Sequence, residues 1–142
     1  GSNEMTESTP WFKPMLDDLV KKMIKIGAIS GVAIDAAPVW GSENEILIAK
    51  VWDTANKSQF IWAITGELAV TDHIPGSMAV TPRDVARHFS YKWQMDADRL
   101  AEIANSDSQI ANTSANIQAQ SKKIIQLAES LYSLTERDEP WR

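Results

Sequence analysis

The chain has 142 residues and a formal net charge of −5, with 44% hydrophobic and 23% charged residues. This length and composition predict one globular domain rather than a disordered chain. The acidic balance argues against nucleic-acid binding, because proteins that bind phosphates usually carry a basic excess. The chain contains no cysteine, which excludes disulfides, thiol catalysis and thiolate-bound metals.

The first residues and the hydropathy pattern bear on the location of the protein in the cell. No apolar run reaches the roughly 18 residues that a membrane-spanning helix needs, and no secretory signal is visible. We therefore expect a cytoplasmic protein. Residues 1–8 are predicted to be a disordered lead, since Gly1-Ser2 ahead of Met5 is typical of a scar left by expression. The single domain is then expected to occupy residues 9–142.

A first helix is predicted from Thr9, which can cap it, to Gly27, which can take the left-handed conformation that ends helices. Pro10 suits the first helical position, where no N–H is needed. Apolar residues then recur every three or four positions, the spacing of one helix face. They are Phe12, Leu16, Leu19, Met23 and Ile26.

Three strands are predicted next, over residues 31–37, 46–52 and 58–65. The middle one is apolar on both faces, as expected of a central strand, and the other two alternate. The short turns between them predict an antiparallel meander. Residues 66–80 then form a long connection, with a turn at Ile74-Pro75-Gly76.

A second helix is predicted to begin at Thr81-Pro82-Arg83-Asp84, which supplies a hydroxyl cap, a proline and an acid near the positive end of the helix dipole. Asp96 falls within the apolar stripe of this helix and therefore needs a partner, such as a tryptophan N–H, an arginine or an interface group. The stripe comprises Val85, Ala86, Phe89, Trp93, Ala97, Leu100, Ile103 and Ala104.

A last helix is predicted after the polar break at residues 105–108. Ile110, Ile117, Ile124 and Leu131 recur every seven residues, but several neighbouring seam positions are polar. This pattern favours an α-hairpin with the previous helix, and a helix that pairs two subunits is the alternative. The predicted fold is therefore α+β in the order αβββαα: a three-stranded antiparallel meander with an N-terminal helix and a C-terminal helical hairpin.

Tryptophans and polar clusters are the remaining features that bear on function. Because the six tryptophans are spread along the chain, we expect them mainly in or beside the core. A histidine near a carboxylate can transfer protons near neutral pH, and two arginines one turn apart on a helix can bind an anion. One constellation offers both features, and we predict it as a binding edge: Asp72, His73, Arg83, Arg87 and His88.

These residues also have ordinary structural explanations, as a loop residue for His73, a structural or surface position for His88 and a salt-linked surface for Arg83 and Arg87. No metal-ligand spacing, glycine-rich phosphate loop or catalytic serine motif occurs. We accordingly predict no catalytic residue, no cofactor and no metal site.

Several motifs resemble a family of small bacterial proteins of unknown function. The resemblance is carried by Trp62 to Leu68 (WAITGEL), Thr71-Asp72, Pro82-Arg83-Asp84 and the segment from His88 to Gln94 (HFSYKWQ). It implies a small cytoplasmic bacterial protein, and it implies no activity, cofactor or site residue.

The function that these observations favour is a non-enzymatic accessory or regulatory protein that acts through protein contacts, as a homodimer. A small-molecule-binding protein or enzyme that uses the five-residue edge is the first alternative. A protein of the immunity type, which neutralises a partner, is the second. Neither nucleic acid nor membrane is expected as a partner.

Overall fold

The computed structural model describes residues 10–105 and 111–142. The chain divides into two compact units, the first ending at Val80 and the second beginning at Thr81. The lead at residues 1–8, the cap at Thr9 and residues 106–108 of the predicted polar break lie outside the described residues. Within the described residues, no helix is long and apolar enough to cross a bilayer. A single domain over residues 9–142 stays a prediction.

The first unit begins with helix α1, Phe12–Lys25, which confirms the predicted helix. The helix ends two residues before Gly27, which has the predicted left-handed conformation with a φ of 78°. The N–H of Ala28 reaches back to the carbonyl of Met23 at 2.9 Å, which satisfies one of the last backbone acceptors of the helix. The residues of α1 that are buried belong to the predicted apolar face: Leu16, Leu19 and Met23.

The first unit also contains a four-stranded sheet. Its strands are β1 (Ile34–Ser42), β2 (Ile46–Asp53), β3 (Ile61–Thr65) and β4 (Asp72–Pro75). Their order in the sheet is β1-β2-β3-β4 and every neighbouring pair is antiparallel. The meander is confirmed, but the predicted number of three strands is wrong. The fourth strand lies in the stretch predicted as a connection, because Pro75 and the following glycine indicate a turn and Ile74 is the only strongly apolar residue of β4.

Strand β2 is central, as predicted, and it is buried along most of its length. One face of it packs with α1 and with Ala63 of β3. The buried members of this core are Leu16, Leu19, Met23, Leu47, Ala49, Val51 and Ala63. The tryptophans are buried or half-buried, in keeping with the expected core role.

The second unit is an antiparallel hairpin of helices α2 (Pro82–Asn105) and α3 (Ala111–Thr135), so the favoured α-hairpin is confirmed. The hydroxyl of Ser121 donates to the carbonyl of Ala97 at 2.8 Å across the seam. The predicted cap of α2 is present, because the N–H of Asp84 donates to the hydroxyl of Thr81 at 3.1 Å.

The apolar stripe of α2 is confirmed for most of its members, but Ile103 is 41% exposed. The side chain of Asp96 lies at the flank of the stripe and is 38% exposed. Its carboxylate pairs with Lys92 at 3.6 Å and with Arg99 at 3.8 Å. The carboxylate of Asp96 is therefore solvated by water and paired with two cations, so it does not need a buried partner.

Candidate functional site

The predicted binding residues are divided between the two units. Asp72 and His73 lie on β4 of the first unit. Arg83, Arg87 and His88 lie on the first turns of α2, in the second unit. Each part is therefore described by its own contacts, and their joint action as one binding edge stays a prediction.

Arg83 and Arg87 bind the C-terminal end of α3. The Nε of Arg83 donates to the carbonyl oxygen of Thr135 at 2.8 Å, and Nη2 of Arg87 donates to the same oxygen at 3.2 Å. A helix C-terminus has unsatisfied carbonyls and a partial negative charge, which cations stabilise. Since α3 has no basic residue in its own last turn, α2 supplies the cations.

Acidic residues complete the surroundings of these two arginines. Asp138 accepts a bond from Nη1 of Arg83 at 2.9 Å. Asp84 lies 3.8 Å and Glu136 lies 3.9 Å from nitrogen atoms of Arg87. An anionic ligand would have to compete with these carboxylates, so the contacts give both arginines a structural role in the hairpin.

Asp72 binds a backbone donor at the outer edge of β4, the last strand in the order of the sheet. Along an antiparallel pair of strands, residues alternate between positions that are hydrogen-bonded to the partner strand and positions that are not. Residue 76 occupies a bonded position, because the N–H of Gly76 donates to the carbonyl of Phe60 at 3.0 Å. The backbone nitrogens of residues 73 and 75 therefore point away from β3. Residue 75 is proline and has no N–H, and the N–H of His73 donates to Oδ1 of Asp72 at 2.8 Å. This carboxylate and this proline remove both outward donors of β4.

The opposite edge of the sheet uses the same two residue types at the same spacing. The N–H of Ala36 in β1 donates to Oδ1 of Asp35 at 2.8 Å. Pro38 occupies the next outward position of that strand. Exposed edges invite pairing with another chain, and both edges are blunted by an Asp-x-x-Pro segment. These segments are 35–38 and 72–75.

His73 lies in a groove of about 440 Å³ at the corner where β3 begins and β4 ends. The imidazole is half-buried. It makes no hydrogen bond or ion pair within residues 10–105 and 111–142. Four polar and five apolar residues line the groove: Ala28, Ser58, Gln59, Phe60, Ile61, His73, Pro75, Gly76 and Ser77.

The aromatic wall of this groove is held in place from behind. Phe60 contacts Trp62 edge-to-face, with ring centroids 5.6 Å apart. Trp62 is only 1% exposed, and its indole N–H donates to the carbonyl of Ala79 at 3.0 Å. The ammonium of Lys50 lies 4.7 Å from the Phe60 ring centroid and 5.0 Å from that of Trp62. Cation–π contacts and ring packing therefore fix the orientation of Phe60.

The second histidine has different surroundings. His88 is half-buried on α2, and its side chain makes no hydrogen bond or ion pair in the part of the chain that the structure describes. The described residues contain no group of three or more histidine and acidic side chains placed to hold a metal ion. His73, in its groove, is thus the predicted site residue with the clearest binding geometry.

A family model described as a domain of unknown function, DUF4826, matches residues 10–141. The chain belongs to the DUF4826 family. The match extends over both units of the fold, and it agrees with the predicted resemblance to a family of unknown function. No curated protein and no solved structure matches the chain.

Sequence reasoning missed most of the groove in this DUF4826 member. Gln59 and Phe60 fall within the strand predicted over residues 58–65, and Ser77 falls within the predicted connection. Gly76 has a packing role, because a Cβ there would lie 2.5 Å from the carbonyl oxygen of Phe60. The Pro75-Gly76 pair was the one available signal, since a glycine beside an edge strand often marks a close backbone approach.

A second cavity, of about 310 Å³, is also present in the first unit. Asp18 and Glu67 contribute carboxylates to it, and Met15 contributes an apolar wall. The backbone of Gly66 is pressed against Glu45 there, so a Cβ at this position would collide with the carbonyl of Glu45. This cavity is acidic, whereas the described residues that line the groove at His73 include no aspartate, glutamate, lysine or arginine.

The first half of α3 has an unusual surface. No charged residue falls between Asp107 and Lys122, which is the longest charge-free run in the chain. Within α3, the exposed residues of this run are small or carry uncharged amide and hydroxyl groups. They are Thr113, Ala115, Asn116, Gln118, Ala119 and Gln120.

Proposed function

We propose that this protein is a non-enzymatic accessory or regulatory protein that acts through protein–protein contacts, and that it pairs with a second copy of itself. The observation that carries the proposal is the charge-free, exposed surface in the first half of α3. We call this surface the neutral face of α3, defined by Thr113, Ala115, Asn116, Ala119 and Gln120.

The charge of the chain supports this face as the contact. Two copies that each carry −5 repel one another, and the repulsion is strongest where acidic surfaces meet. A contact built from uncharged residues avoids both like-charge repulsion and the burial of unpaired ions. Alanines on an outward helix face also allow two helices to approach closely, and a two-fold pair brings the same patch of each copy together.

The contacts of the other candidate residues support a non-enzymatic role. Arg83 and Arg87 are bound to the end of α3, and Asp72 is bound to the edge of its own strand. These three side chains have structural partners in place of a reacting group. A chain without cysteine also suits a reducing compartment such as the cytoplasm.

The test is the mass of the protein in solution, measured by sedimentation velocity and native mass spectrometry. Wild type is expected as a dimer. Ala119→Glu places a carboxylate on the neutral face of each copy, where the two faces are proposed to meet. Like charges brought together in this way cost several kcal/mol, so we expect the dissociation constant to rise at least about thirtyfold.

Ser130→Glu is the matched control. Ser130 is also exposed on α3, but it lies in the half of the helix that already carries charges. This variant adds the same charge and is expected to remain a dimer. A monomeric wild type would contradict the proposal. So would an Ala119→Glu variant that keeps the wild-type circular dichroism spectrum and still forms dimers.

A further inference from the structure

Three polar side chains with no hydrogen-bonding partner converge on the groove beside β4. Within residues 10–105 and 111–142, the side chains of Gln59, His73 and Ser77 make no hydrogen bond or ion pair. All three line the groove of about 440 Å³. Ser58, the fourth polar residue of the lining, donates to Asn56 at 3.1 Å and is thereby occupied. The unpaired groups offer both donors and acceptors to a ligand.

The groove is formed before any ligand arrives. Gly76 packs directly on Phe60, since a Cβ on Gly76 would lie 2.8 Å from carbon atoms of the ring. The ring is supported in turn by the buried Trp62. A site that is already shaped loses little conformational entropy on binding, which favours a small, rigid ligand.

The lining also limits the charge of the ligand. Among the described residues, it contains no carboxylate to bind an ammonium group, and no lysine or arginine to bind an anion. His73 is the only ionisable side chain that residues 10–105 and 111–142 contribute to the lining. The chain as a whole is acidic, which disfavours anions further. A neutral ligand therefore suits the groove better than either ion.

The shape and wall chemistry limit the ligand further. Phe60, Ile61 and Pro75 provide apolar walls that suit a flat ring. Gln59, His73 and Ser77 suit a ring whose edge carries both hydrogen-bond donors and acceptors. Pockets for small molecules usually have volumes of roughly 300–1,000 Å³, and this groove falls at the lower end of that range.

We propose that this groove is a binding site for a neutral, planar nitrogen heterocycle of one or two rings, with His73 as its main hydrogen-bonding residue. The ring packs against Phe60, and its polar edge bonds to His73 and to the side chains of Gln59 and Ser77. The site does not depend on pairing through α3, because every lining residue belongs to the first unit.

The experiment uses three pyridines that differ in charge: nicotinamide, which is neutral, nicotinate, which is an anion, and 3-picolylamine, which is a cation. Each is titrated into the full-length protein while the imidazole and aromatic signals are followed by NMR. Nicotinamide should give saturable shifts at His73 and Phe60 and none at His88. The two charged pyridines should bind roughly tenfold more weakly, because their charges lose water without gaining a partner.

Variants locate the site. His73→Ala should weaken nicotinamide binding roughly tenfold, as expected when a hydrogen-bonding partner is lost, and Gln59→Ala should weaken it less. His88→Ala removes the other histidine and should leave binding unchanged. The proposal is overturned if nicotinamide gives no saturable shift, if the three pyridines bind equally well, or if a folded His73→Ala variant binds like wild type. A monomeric wild type that still binds nicotinamide would contradict only the pairing proposal.

Discussion

Arg83, on the first turn of α2, donates its Nε–H to the carbonyl oxygen of Thr135, the last residue of α3, at 2.8 Å. The other terminal carbonyls of α3 are satisfied as well. That of Tyr132 accepts the Thr135 hydroxyl, and that of Leu134 accepts the indole N–H of Trp141 at 2.9 Å. The end of α3 is thus closed largely by side chains, and Arg83 together with Arg87 provides the charged part of that closure.

Removing the bonds that Arg83 contributes to this closure should destabilise the protein. Arg83→Met keeps the length of the side chain but removes its bonds to Thr135 and Asp138. We expect the free energy of unfolding to fall by about 1–2 kcal/mol, the usual cost of losing a charged hydrogen bond. Urea denaturation followed by circular dichroism would measure the change. Arg99→Met is the control, because Arg99 is 72% exposed and its pair with Asp96 is long, and its effect should stay within about 0.5 kcal/mol.

A second prediction concerns the blunted edge of β1. Replacing both Asp35 and Pro38 with threonine restores an outward N–H at residue 38 and frees the N–H of Ala36. An exposed edge with free donors pairs readily with another chain. We expect the double variant to associate with rising concentration, seen as increased light scattering.

The control for this edge experiment is Asp35→Asn, which keeps an oxygen that can accept the bond from Ala36. It should scatter light like wild type. If the double variant also remained unassociated at every concentration, the Asp-x-x-Pro segments would have no part in protecting the edges.

The two edges show what sequence could and could not predict. Helices α1 and α2 and strand β2 were predictable, because capping residues and apolar periodicity are local signals. The role of Asp72 and Pro75 at the edge of the sheet was not predictable, since the same residues also favour a turn. Only the strand register shows that the backbone nitrogens of residues 73 and 75 face outward.

The candidate site was less predictable than the fold, for a related reason. Arg83 finds its partner 52 positions away in the sequence, and no local pattern indicates such a contact. The groove at His73 combines the loop before β3 with the turn after β4, so it exists only once those strands pair. His73 itself was identified because histidine is chemically unusual, and its apolar neighbours carry no comparable signal.

A third prediction distinguishes two reasons why a position requires glycine, namely a positive φ and a close approach of the backbone. Gly66 and Gly27 both have positive φ, at 138° and 78°. A Cβ on Gly66 would collide with the carbonyl of Glu45, whereas a Cβ on Gly27 would meet nothing within 4 Å. Gly27→Ala should therefore cost only the strain of the left-handed conformation, about 1–2 kcal/mol.

Gly66→Ala adds a backbone clash to that strain, and the backbone of Glu45 cannot rotate away as a side chain could. We expect it to cost about 2 kcal/mol more than Gly27→Ala, or to prevent folding. Thermal unfolding of both variants gives the comparison. Equal melting temperatures would show that the turn at Gly66 relaxes freely and that its close approach is unimportant.

The last prediction concerns Trp62, the buried support of the groove. Trp62→Phe keeps an aromatic ring but removes the indole N–H that bonds to Ala79 at 3.0 Å. It also leaves a small void in a position that is 1% exposed. The unpaired carbonyl and the lost contacts should together lower the free energy of unfolding by about 2–3 kcal/mol.

Trp52→Phe provides the comparison, because Trp52 is 8% exposed and the ammonium of Lys57 lies 5.0 Å from its ring. Trp52→Phe keeps an aromatic ring beside the ammonium of Lys57, so we expect the free energy of unfolding to fall by only about 1 kcal/mol. Urea denaturation of the two variants tests the ranking. A Trp52→Phe loss as large as that of Trp62→Phe would mean that the bond to Ala79 adds nothing to stability. The orientation of Phe60 would then have to depend on ring packing and on Lys50 alone.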